Sequence, residues 1–199
     1  MTEFLPSLRS LACRFRDDRR GVALVEFAFI LPVMLMLYLG CVAVTIGVST
    51  DRKLSLLTHS LADLVAQDDT IMNTETDDIF LAAKAIMMPY DVTPNEIGMR
   101  VQSVRIKADR TACVEWSVAP TGLLTARGLN ENVTSIIPDD LRVADTTLIW
   151  AETQYNYRPV VGRDLVGTLL ELKSQNFMRP RLTDAVAFSP DPDPGDCPL

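Results

Sequence analysis

A carboxylate, Glu26, stands at the start of a long apolar stretch, five residues after Gly21, which itself follows Arg19 and Arg20. An ionised acid costs roughly 2.5–3.5 kcal/mol at the middle of a bilayer and less near its surface. Glu26 has two readings. In one it snorkels to the headgroup zone and does nothing more. In the other it has a partner. Cleavage after Gly21 would make Val22 the N-terminus, an ammonium at the head of an apolar helix, with Glu26 as the fifth residue. Acid and amine are each costly in lipid and become acceptable as a pair, within one helix or between neighbours.

Other chemistry is poorly provided for. His59 is the single histidine of the chain, so Ser-His-Asp and Cys-His arrangements would all depend on it. One histidine without companions makes a poor metal site, and His59 reads as an ordinary polar-face residue. Walker, dinucleotide-glycine, CxxC and HExxH patterns are absent. The acid pairs Asp68–Asp69, Asp77–Asp78 and Asp139–Asp140 fall at expected loops and helix starts, where carboxylates cap and solvate. Asp191, Asp193 and Asp196 are separated by prolines and lack a downstream Glu, which makes a poor calcium loop. We expect no enzyme, no cofactor and no metal. With a net charge of −7 and no basic stripe, we also expect no nucleic-acid partner.

Cys113 and Cys197 are the two cysteines of the expected body, and they would be free to pair in an oxidising compartment; two unpaired thiols is the competing reading. Cys13 precedes the apolar stretch. Cys41 lies within it, after Gly40, as in a lipobox. Tyr38 occupies the position where a lipobox has Leu, and the apolar run continues past Cys41, so a buried small residue is the preferred reading.

The element that positions Glu26 is a helix. Phe27 to Val48 are 22 residues without a charge. At about 1.5 Å per residue they span roughly 30 Å, the thickness of a bilayer's hydrocarbon core. Pro32 interrupts the run and is tolerated in lipid. Five arginines lie among residues 1–21 against three acids, whereas the body is acidic. This asymmetry predicts a cytoplasmic N-terminus and an exported body. A cleavable secretory signal fits less well, because the run is long and "TIGVSTDRK" lacks a small-x-small site.

Basic residues, Gly, four mostly apolar residues, Glu, an aromatic and a long apolar run resemble the type IV prepilin pattern. "RRG" followed by "VALVEFAFILPVML" is most similar to the tight-adherence (Tad) branch, and within it to TadE-like minor pilins or pseudopilins. "AETQYNYRPVVG" and "NFMRPR" resemble the aromatic strand and arginine-rich ending of TadE-like domains. The resemblance implies cleavage by a membrane prepilin peptidase between Gly21 and Val22, and assembly roles for Glu26 and Phe27. It implies residence in a bacterial inner membrane with a periplasmic body. The implied partners are the peptidase and the major and other minor pilins of the same system. An uncleaved signal-anchored periplasmic binding protein and an envelope lipoprotein made through Cys41 are the alternatives.

The expected layout is a leader over 1–21, a transmembrane assembly helix over 22–49, a periplasmic α+β domain over 50–185, and a Pro/Asp-rich tail over 186–199. In the domain, Leu54, Leu57, Leu61, Leu64 and Val65 share one helical face, so the first helix should continue past the membrane. A second helix is expected from Thr76 to Met88, with Ile79, Phe80, Ala83, Ile86 and Met87 as its stripe. Residues 98–109 and 111–119 read as a hairpin turning at Asp109–Arg110, with a phase slip near Ser103. Residues 146–161 read as a third strand, with Ile149, Ala151, Thr153, Tyr155 and Tyr157 on one side, and 163–174 as a short helix. The fold class is α+β: a long N-terminal membrane-spanning helix packed at its distal half on a small antiparallel sheet, as in pilins.

Overall fold

A computed structural model describes residues 20–158 and 170–189. The leader residues 1–19, residues 163–169 of the expected short helix, and the tail from residue 190 onward lie outside the described residues. Contacts divide the chain into a unit ending at Thr45 and a unit beginning at Ile46. One helix, α1, runs through both, from Arg20 to Ala66.

In the first unit α1 is a bare apolar rod. Its large side chains from Val22 to Val44 are half or more exposed almost throughout. That is the surface a helix presents when lipid, or other helices, are its solvent. The helix is long and apolar enough to cross a membrane once.

In the second unit α1 becomes amphipathic. Leu54, Leu57, Leu61, Ala62, Val65 and Ala66 are fully buried. Leu64, expected on this face, is 40% exposed. The apolar stripe is narrower than the leucine count implies, and Ala62 and Ala66 complete it. Two strands frame a second helix: β1 (Thr70–Met72) leads directly into α2 (Asn73–Ile86). The Glu75 carboxylate accepts the Met72 amide hydrogen at 2.9 Å and starts α2 three residues earlier than expected. Phe80 and Ala83 are buried, and Ile79 and Ile86 pack beside them.

The sheet has four antiparallel strands in the order β3-β2-β4-β5, formed by Ile97–Ile106 (β2), Ala112–Val118 (β3), Thr146–Tyr157 (β4) and Leu170–Met178 (β5). The β2–β3 turn closes as expected: Arg110 adopts a positive φ of 68°, and Lys107 and Thr111 bond across it. The Thr111 hydroxyl and amide hold the Asp109 carboxyl below the usual carboxylate range.

Strand β5 corrects the expected short helix over its described part. Leu170 to Ser174 pair residue by residue with Tyr157 to Thr153. Leu170, Leu172 and Ser174 lie opposite the inward residues of β4, so the true period is two. The apolar spacing of "LVGTLLELK" fits a helix, but β4 offers an open edge and ladder pairing prevails.

Each face of the sheet has its own core. On one face Ile97, Met99, Val101, Ile149, Ala151, Tyr155 and Tyr157 pack with α1 and α2. On the other, Val104, Ile106, Ala112, Val114, Leu148 and Trp150 pack beneath Val133 and Ile137 from the long β3–β4 connection. Strand β2 pairs with β4 without interruption, but its register against β3 shifts between Ser103 and Val104. Trp116 faces Ser103 and Val114 faces Val104, so the extra residue is Glu115, on β3. The expected phase slip is therefore an exchange of apolar faces along β2, and the bulge belongs to its neighbour. Glu115 is buried there and ion-paired with Arg105 at 2.5 Å.

Residues 186–189, assigned to the tail by the sequence, belong to the fold. Val186 is buried and accepts the Trp116 indole hydrogen at 2.8 Å. Ala187–Ser189 form β6, parallel to β1, and Phe188 stacks on Trp116.

Candidate functional site: the head of the first helix

Gly21, Val22, Glu26 and Phe27 all lie on the first two turns of α1. Val22 and Glu26 are four residues apart, which brings their Cβ atoms to about 5–6 Å on one face. Val22 is 65% and Phe27 62% exposed, and Glu26 is exposed too. Among the described residues Glu26 has no ion pair and no side-chain hydrogen bond. Nothing lies within 4 Å of where a Gly21 Cβ would stand. A helical glycine costs roughly 0.5–1 kcal/mol relative to alanine. Among the described residues no neighbour of Gly21 requires the missing side chain.

The remaining candidates fall elsewhere. Cys41 is a free, exposed thiol inside α1, and its carbonyl accepts the Thr45 hydroxyl at 2.8 Å. His59 is exposed on α1. No group of three His, Cys, Asp or Glu suited to a metal occurs among the described residues. Cys113 is buried in β3 and disulfide-bonded. Cys197 lies outside the described residues.

Two polar arrangements escaped sequence reasoning. Glu152 accepts Arg100 through Nε at 2.8 Å and Nη2 at 2.5 Å, Gln102 at 3.0 Å and Arg127 at 3.4 Å. Arg127 also lies over the Trp150 ring at 4.7 Å. The alternation of Arg100, Gln102 and Glu152 with apolar residues was the available signal, since antiparallel pairing sets such residues opposite one another. The second is a group of tyrosines against α1. The Tyr90 phenol bonds Thr50 and Ser49, which with Lys53 nearby hold it below the usual phenol range. Burial pushes the Tyr155 and Tyr157 phenols up. No spacing in the sequence joins residue 90 to residue 50.

A family model described as TadE-like protein matches residues 21–60. Over those residues the chain is similar to TadE-like proteins. The match runs from Gly21 through the apolar rod and into the buried face of α1, and it agrees with the resemblance carried by "RRGVALVEFAFILPVML". No curated protein and no solved structure matches the chain.

Proposed function

We propose that the chain is a minor pilin or pseudopilin of a Tad-type pilus, matured by a prepilin peptidase that cuts between Gly21 and Val22. The observation that carries this reading is the TadE-like match over residues 21–60. Two features support it. Gly21 is a helical glycine that no packing among the described residues demands, as expected of a residue kept for a peptidase. Glu26 is an acid without a partner among the described residues, as expected if its partner is the Val22 ammonium of its own or a neighbouring mature subunit. Phe27 then extends the apolar surface beside the pair.

On this reading α1 is held in the inner membrane with the leader in the cytoplasm, as the arginines before Gly21 favour. The α+β unit lies in the periplasm, where Cys113 and Cys197 would pair. The partners are the peptidase and the major and other minor pilins of the system. Assembly withdraws the exposed rod of α1 from lipid into contact with neighbouring rods.

The test is the N-terminal sequence and intact mass of the membrane-extracted protein. A chain beginning at Val22 is expected. A chain that keeps the leader would make it an uncleaved periplasmic anchor, and an acylated N-terminal Cys41 would make it a lipoprotein.

A further inference from the structure

The uncharged run of α1 ends at Val48, and Ser49, Thr50, Asp51, Arg52 and Lys53 follow. Three tyrosines and an exposed methionine gather at this level of the helix. The Tyr157 ring lies 3.6 Å from where a Gly47 Cβ would stand. Its hydroxyl is buried and has no hydrogen-bond partner among the described residues. The Tyr90 hydroxyl reaches Ser49 and Thr50. Lys53 holds its ammonium 5.3 Å from the centre of the Tyr90 ring and donates to the Met88 carbonyl. Met88 leaves 67% of its surface exposed beside this contact. Tyr155 is buried two residues before Tyr157 on the same side of β4.

Charge does not select what covers the group. Arg52, Lys53 and Arg158 are matched by Asp51, Asp91 and Glu96, and Arg158 pairs with Glu96 at 2.9 Å. The group presents the half-buried Tyr90 ring, the Met88 thioether and the aliphatic stem of Lys53, over the buried Tyr155 and Tyr157. Such side chains have an apolar body and a polar tip, and favour the boundary between acyl chains and headgroups.

The height of the group is fixed by its contacts with α1. If Phe27 to Val48 fill the hydrocarbon core, Lys53 lies five residues, or about 7.5 Å, beyond it, and the Tyr90 ring and Met88 carbonyl that it meets stand at headgroup level. We propose that Met88, Tyr90 and Lys53 form an interfacial anchor that enters the headgroup layer of the same bilayer that α1 crosses. The anchor fixes how far α1 emerges and which side of it faces the lipid surface. Its occupant is the lipid interface, because the group is continuous with the span and its charges balance. The inference rests on α1 crossing a membrane and is independent of processing and of pilus assembly.

The test places p-benzoylphenylalanine at position 88, or at the 71% exposed Leu182 position as a control. Leu182 follows Arg181, whose amide bonds Ala66 at the far end of α1. Each full-length protein is reconstituted alone into phosphatidylcholine vesicles, with and without phosphatidylglycerol. It is irradiated, then weighed intact. Lipid adducts at 88 in both vesicle types, with none at 182, are expected. No lipid adduct at 88, a cross-link there to a second copy of the chain, adducts at both positions, or adducts only with the anionic lipid would overturn the proposal.

Discussion

Thr58 of α1 and Thr153 of β4 meet hydroxyl to hydroxyl at 2.6 Å inside the core. Thr58 spends its proton on the Leu54 carbonyl at 2.8 Å, so Thr153 must donate and Thr58 must accept. The pair joins helix and sheet through one directed bond, and the two partners are not equivalent. Thr58→Val would strand the Thr153 hydroxyl and cost about 1–3 kcal/mol. Thr153→Val leaves Thr58 bonded to Leu54 and should cost about 1 kcal/mol or less. The double variant should recover part of the Thr58→Val loss. Urea midpoints of the detergent-solubilised protein read all three, and equal losses for the single variants would refute the directed bond.

Gly98 of β2 is crossed closely by the connection that follows β3. A Cβ there would stand 2.6 Å from the Leu124 amide nitrogen and 2.9 Å from the Leu123 Cβ. Backbone cannot swing away as a side-chain tip does, so Gly98→Ala must displace the connection over β2. A loss of about 1–3 kcal/mol is expected, with faster amide exchange at Leu123 and Leu124. Gly21→Ala, where the space is open, should leave stability unchanged or slightly raised.

Glu152 holds two guanidinium groups that are themselves largely covered, Arg100 at 11% and Arg127 at 16% side-chain exposure. Glu152→Gln keeps the shape, removes the charge and leaves one acceptor oxygen; Arg127 retains Glu131 at 2.7 Å, so Arg100 is the cation left without a carboxylate. The expected loss is roughly 2–4 kcal/mol, below the full cost of breaking a wholly buried pair because water reaches one rim. Arg100→Met in the Glu152→Gln background should restore part of it. The thermal midpoints of the two variants decide the matter.

The tyrosines should titrate in separate steps. Tyr90 is held below the ordinary phenol value of about 10, whereas Tyr155 and Tyr157 are held above it. A raised folded value means that the contribution of Tyr155 and Tyr157 is complete below about pH 10 and is lost as pH climbs through their folded values. The lowered Tyr90 works in the opposite sense and adds stability as it ionises. Absorbance at phenolate wavelengths should therefore show an early step that Tyr90→Phe abolishes. The later step should coincide with alkaline unfolding.

Glu26→Leu should leave membrane insertion intact or improve it, since a charge is removed from an apolar helix. Incorporation into pili should fall sharply. Wild-type piliation of a deletion strain by the substituted protein would exclude a pairing role for the acid.

Periodicity revealed the elements wherever one face meets one core. Leu54, Leu57 and Leu61 and the odd-numbered residues of β4 sit as their spacing implies. It failed where an element changes its apolar face part-way or leaves both faces partly exposed. Strand β2 changes apolar face at Ser103, which in sequence looks like a backbone irregularity. Strand β5 is half-exposed, so its leucines followed no single rule. Leu64 is an exposed leucine on an otherwise buried face. For the candidate site, Gly21, Val22, Glu26 and Phe27 could be singled out because the role proposed for them depends on local spacing in one helix. The Tyr90–Ser49–Thr50 and Glu152–Arg100–Arg127 groups were not, because they exist only after distant strands and helices have met.

The parallel pairing of β1 with β6 gives the unit a mechanical character. β1 is drawn from its start by α1, and β6 leads onward from its end. Tension applied between α1 and the end of β6 at Ser189 pulls these two strands lengthwise in opposite directions. Their bonds must then slide together and cannot peel open one at a time. The Arg181 amide on the Ala66 carbonyl and the Ala187 amide on the Asp69 carbonyl lie across the same seam. A pull between α1 and β6 would thus load this clasp before the four-stranded sheet.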